Sequence, residues 1–93
     1  MLKHLTISIY GKVQGVFFRR TVKHEARRRG IAGFVQNEPD GSVRIEAEGD
    51  EEILKEFVGW LKSGAGEGDY HITQVDTEEG PFKAYDRFEV RET

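Results

Sequence analysis

The chain has 93 residues, 17 acidic against 14 basic, for a net charge of -3. That length suits one compact domain spanning 1–93 with one modest core, and the acidic balance argues against a general nucleic-acid binder. The absence of cysteine excludes disulfides, zinc–thiolate sites and thiol catalysis, and without a long apolar run or a charged-then-apolar leader the expectation is a cytoplasmic chain with no membrane attachment.

Residues 3–10 alternate, with Leu5, Ile7 and Ile9 on one face and His4, Thr6, Ser8 and Tyr10 on the other. That is the period of a half-buried strand. Residues 11–17 read as a loop. Over 18–29, Phe18, Val22 and Ala26 recur at a spacing of four, which predicts a helix with a narrow apolar stripe ending at Gly30. Residues 31–37 read as a second strand and 42–48 as a third, with Val43, Ile45 and Ala47 inward and Arg44, Glu46 and Glu48 outward. The turn sequence Glu38-Pro39-Asp40-Gly41 joins these two strands as a hairpin. Asp50 caps a second helix whose apolar face carries Ile53, Leu54, Phe57, Val58 and Leu61 and which closes at Gly64. GAGEG (64–68) reads as a flexible joint, 70–78 as a strand, 78–84 as a turn, and 85–91 as a last short strand with Phe88 and Val90 inward.

The order β-α-β-β-α-β, with an extra strand, predicts an α+β, ferredoxin-like split βαβ sandwich: a mostly antiparallel sheet with two helices on one face. A right-handed crossover through the first helix makes strands 1 and 2 parallel. With one strand between them, their C-terminal ends lie roughly 10 Å apart on one edge of the sheet. The loop after strand 1 and the residues Gln36 and Asn37 are therefore expected to be neighbours.

That loop is unusual. GKVQGVFFRR (11–20) leads into the first helix without Ser, Thr, Asp or Asn at its entrance, although losing such a cap costs about 1 kcal/mol. Arg19 and Arg20 add positive charge where the helix macrodipole is already positive. A bound anion relieves both costs, because it accepts the orphan N–H bonds and takes an arginine fork. Gly15 allows the backbone to approach it closely. The alternative is a loop whose amides are met by water. The segment matches neither the Walker pattern nor a dinucleotide fingerprint.

GKVQGVFFR (11–19) followed by GFVQN-EPDGSV (33–43) resembles the acylphosphatase signature, and the resemblance covers nearly the whole chain. It implies hydrolysis of acyl phosphates to carboxylate and inorganic phosphate without metal or cofactor. Carried over by motif position, Arg19 is the phosphate-binding arginine and Asn37 positions the attacking water. The backbone amides of Gln14, Gly15, Val16, Phe17, Phe18 and Arg19 hold the phosphate oxygens. The chain departs from the family pattern at Thr21, where an aromatic residue is usual, at Phe34 for the commoner Trp, at Arg29 for an aliphatic residue, and at GAGEG.

Other features are read as structural. His4, His24 and His71 lack ligand spacing, so no metal is expected. Asp76, Glu78 and Glu79 are read as surface acids. The basic run 23–29 is read as a solvated face that also raises the potential around an anionic substrate. The stretch RRGIAGFVQN (28–37) lies on the second strand with one aromatic, Phe34, too little for an RNA-reading sheet. The rival function on the same scaffold is a non-catalytic phosphate- or RNA-binding module, and hydrolysis separates the two. The chain is expected to act as a monomer on a small molecule, without nucleic acid or membrane partners.

Overall fold

The computed structural model describes residues 1–92. Among these residues the elements are β1 (Leu2–Lys12), α1 (Phe18–Arg28), β2 (Ala32–Asn37), β3 (Val43–Asp50), α2 (Glu51–Lys62), β4 (His71–Gly80) and β5 (Phe88–Arg91). They form one sheet in the order β4-β1-β3-β2-β5. β1 and β2 both pair antiparallel with β3, so they run parallel to each other, while β5 joins β2 in parallel. The architecture is the ferredoxin-like α+β sandwich expected, widened by β5 at one edge.

The core lies between the sheet and the two helices. Ile7, Ile9, Val35, Val43, Ile45 and Ala47 supply the sheet side, and Phe18, Val22, Ala26, Leu54, Phe57 and Leu61 the helix side. Each large side chain buried there contributes roughly 1.5–3 kcal/mol. The Asp50 carboxylate accepts from the Glu52 amide and caps α2, with Glu51 and Glu52 complementing the dipole in its first turn.

Several sequence expectations need correction. β1 runs on to Lys12 and shortens the loop before α1. A register shift between Tyr10 and Gly11 bends that end of the strand against β4. Gly11 sits there at φ 127°, where a Cβ would stand 2.1 Å from the His71 carbonyl oxygen. β4 continues to Gly80, so Glu78 and Glu79 are exposed strand residues paired with Thr6 and Leu5 rather than part of a turn. β5 begins only at Phe88. The GAGEG joint is a closed loop, because Ala65 is fully buried and the Tyr70 hydroxyl donates to the carbonyls of Ala65 and Glu67.

The largest correction concerns the sheet face away from the helices. Glu46 and Glu48 point to that face, but only 3% and 2% of their surface is exposed. His4 lies between them, Nδ1 at 2.6 Å from Glu48 and Nε2 at 2.5 Å from Glu46. Both ring nitrogens are thus engaged by carboxylates. Thr6 and Arg44 also donate to Glu46, at 2.9 and 2.7 Å. The segment between β4 and β5 folds over the cluster, and its Lys83 and Tyr85 amides donate to Glu48. Burial alone raises the pKa of each carboxyl. For Glu46, bonds from Arg44, His4 and Thr6 outweigh it; for Glu48, bonds from the Lys83 amide, His4 and the Tyr85 amide do so. Both carboxyls are held below the ordinary glutamate range.

Candidate functional site

The entrance of α1 is uncapped as expected, but its backbone adds something periodicity does not reveal. Phe17, the residue at the cap position, adopts φ 61°, ψ 17°, and makes no side-chain cap bond. A bulky residue in the left-handed region is strained. Followed by a right-handed helical residue, it turns consecutive N–H groups toward one side, the geometry of an anion-binding nest. Gly15 also has positive φ, 72°. The Phe17 ring is 75% exposed, with the Arg20 guanidinium 5.1 Å from its centroid.

The loop is fastened from outside. Gln14 turns its side chain to the β2–β3 connection, and its Nε2 donates to the carbonyls of Glu38 and Ser42, each at 2.8 Å. Val16 packs against the core. These two anchors leave the intervening turn facing α1.

Sheet register brings the second wall into place. Val43 of β3 faces Ile9 on one side and Asn37 on the other, so Asn37, the last residue of β2, is level with Ile9 of β1, three residues before that strand ends. Asn37 shares the parity of Val35 and so projects to the helix side, toward the loop. Its Oδ1 is buried and has no hydrogen-bond partner among the described residues. An acceptor in that condition is costly unless something fills it.

The third wall was not legible in the sequence. Val90 and Glu92 reach the site because β5 lies parallel to β2 beside α1. Arg19 donates through Nη1 to the Arg91 carbonyl at 3.1 Å and lies 3.4 Å from the Glu92 carboxylate. These contacts hold the guanidinium at the mouth of a cavity of about 430 Å³ lined by Arg19, Asn37, Gly15, Phe17, Phe18, Val13, Val90, Glu92 and the cations Arg20 and Lys23. Of the residues singled out by sequence, Gln14 and Val16 do not line it. The site thus presents a forked cation, a turn of unfilled amides and an unpartnered amide oxygen around one space of ligand size.

A sequence model of the acylphosphatase family matches residues 5–90. This chain belongs to the acylphosphatase family. It is 40% identical to an acylphosphatase of a Nocardioides species over 98% of this chain and 90% of the relative. It is 38% identical to an acylphosphatase of Thiobacillus denitrificans over 92% and 97%. The crystal structure of acylphosphatase from Bacillus subtilis superposes with a TM-score of 0.87 at 37% identity, covering 98% of this chain and 99% of that one.

Three departures from the acylphosphatase pattern have local explanations. Thr21 donates its hydroxyl back to the Phe17 carbonyl at 3.3 Å, bracing the strained residue. Arg29 pairs with Glu25 at 2.6 Å and reaches Glu56 at 3.5 Å, linking α1 to α2. Phe34 lies on the open sheet face beneath the Arg91 guanidinium, 3.7 Å from its ring centroid, with Tyr85 edge-on.

Proposed function

We propose that this acylphosphatase binds the phosphoryl group of an acyl phosphate on Arg19 and the amides of Gly15, Phe17, Phe18 and Arg19, with Gln14 and Val16 fastening the loop, and that Asn37 orients the attacking water. The observation carrying this reading is the shared cavity of Arg19, the α1 entrance and the orphaned Asn37 oxygen. The acidic chain acts as a monomeric, single-domain cytoplasmic enzyme on a small molecule, without nucleic acid. Among the described residues no helix is long and apolar enough to cross a membrane.

The chemistry asks for little beyond these groups. The leaving group is a carboxylate, which departs with its electron pair and needs no general acid. Phosphoryl transfer is loose, so positioning and charge stabilisation dominate. Arg19 and the nest amides stabilise charge on the non-bridging oxygens. Asn37 accepts a hydrogen bond from water through Oδ1 and aims its lone pair at phosphorus. As the new P–O bond forms and the acyl–oxygen–phosphorus bond breaks, the water proton passes to a phosphoryl oxygen, because an amide cannot take it.

The test is hydrolysis of acetyl and benzoyl phosphate, competitively inhibited by inorganic phosphate and indifferent to EDTA. Arg19→Lys is expected to lose about 10²–10³ in kcat/KM, since an ammonium cannot reproduce the fork. Binding of phosphate without turnover would favour the non-catalytic module instead.

A further inference from the structure

The α1 helix is crowded with cations, and most have identifiable partners. Arg28 and Arg29 pair with Glu25, and Arg27 donates to the Phe88 carbonyl at 2.9 Å. Arg19 has Arg91 and Glu92. Arg20 and Lys23 differ: both line the cavity, and among the described residues neither has an ion-pair partner, although the chain carries 17 acidic residues. Lys23 is one turn along from Arg19 on the same helix face, where like charges repel. The phosphoryl group at the helix entrance accounts for Arg19. It leaves Arg20 and Lys23 without an assigned anion.

We propose that Lys23, assisted by Arg20, reads a second anionic group on the acyl portion, so that this enzyme favours acyl phosphates bearing a carboxylate over those with a neutral acyl group. The proposal rests on the acyl-phosphate reading of the site. Four residues of helix separate Lys23 from Arg19, a rise of about 6 Å. That rise is comparable to the reach of a short dicarboxylic acyl chain whose far carboxylate extends away from the phosphoryl group. Phe17, which is exposed, and the half-buried Val90 also line this cavity and offer apolar surface for the methylenes between the two charged ends. Glu92, the one carboxylate among the described residues lining this space, lies 3.4 Å from the Arg19 guanidinium and makes no ion pair with Lys23 or Arg20.

The experiment compares kcat/KM for acetyl phosphate and for the monoacyl phosphate of succinic acid at low ionic strength. The proteins are the unaltered chain, Lys23→Gln, Arg20→Gln and Lys23→Arg, with inhibition by inorganic phosphate measured on each. The unaltered enzyme is expected to prefer the carboxylate-bearing substrate, and Lys23→Gln to shrink that ratio about tenfold, the value of one charge-assisted hydrogen bond. Arg20→Gln is expected to shrink it less, and Lys23→Arg to keep most of it. Added salt is expected to erode the preference. An unchanged ratio in Lys23→Gln overturns the proposal. So does an equal loss on both substrates and in phosphate inhibition, which would assign Lys23 to the phosphoryl group. Hydrolysis of acetyl phosphate with no preference overturns this proposal alone; failure to hydrolyse either substrate overturns the function beneath it as well.

Discussion

Asn37 and Phe17 carry opposite lessons about single residues. Asn37 was legible twice, from its motif position and from strand-order geometry, and register then set its side chain on the helix side of β2. The left-handed Phe17 was not legible, because residue type argues against that conformation and only the closure of the loop between Gln14 and α1 imposes it. Since the Asn37 oxygen is buried without a partner among the described residues, the role proposed for it is toward water rather than phosphate. Asn37→Ala is therefore expected to lower kcat about 10²-fold while the inhibition constant for inorganic phosphate moves less than about threefold. Steady-state kinetics with phosphate as inhibitor checks this; a phosphate constant rising in step with the loss of kcat would reassign the residue to anion binding.

At the scale of elements, alternation assigned the strand faces correctly, and Val43, Ile45 and Ala47 do meet the helices. It failed on exposure. Glu46 and Glu48 are outward but buried, because the segment after β4 folds across them, and that segment has no periodicity from which its path could be read. The same limit hid Val90 and Glu92 from the site, since parallel pairing of β5 with β2 is a long-range event. His4 is the shared partner of the two buried carboxylates. His4→Leu leaves them facing an apolar side chain, and stripping a buried hydrogen-bond partner in this way costs about 1–3 kcal/mol per group left unsatisfied. Urea unfolding is expected to show a loss of that order. A loss below about 1 kcal/mol would mean that the Thr6, Arg44 and backbone donors suffice without the ring. Because Leu2–Ile9 pair with Val43–Asp50 residue for residue, the damage is expected in stability first and in turnover only as unfolded protein accumulates.

For the molecule as a whole, the cluster makes an acid limit. Glu46 and Glu48 have folded-state pKa values below their ordinary value of 4.5. A depressed carboxyl contributes stability above the unfolded-state pKa and loses it as pH falls through the folded-state value. The urea midpoint is accordingly expected to hold from neutral pH down to about 5 and to fall below 4.5; a midpoint that rises on acidification through that window would contradict the assigned shifts. The groups proposed for catalysis stand apart from this cluster, across the sheet, where the helix entrance, the end of β2 and the edge strand β5 converge. The property proposed for them is an affinity for an oxyanion at the start of α1. Titration of the isotopically labelled protein with inorganic phosphate, followed by amide NMR, tests it most directly. The account expects saturable one-site shifts largest at the amides of Gly15, Phe17, Phe18 and Arg19, weakened strongly in Arg19→Lys; shifts absent from that turn, or scattered over the basic face of α1 without saturation, would contradict it.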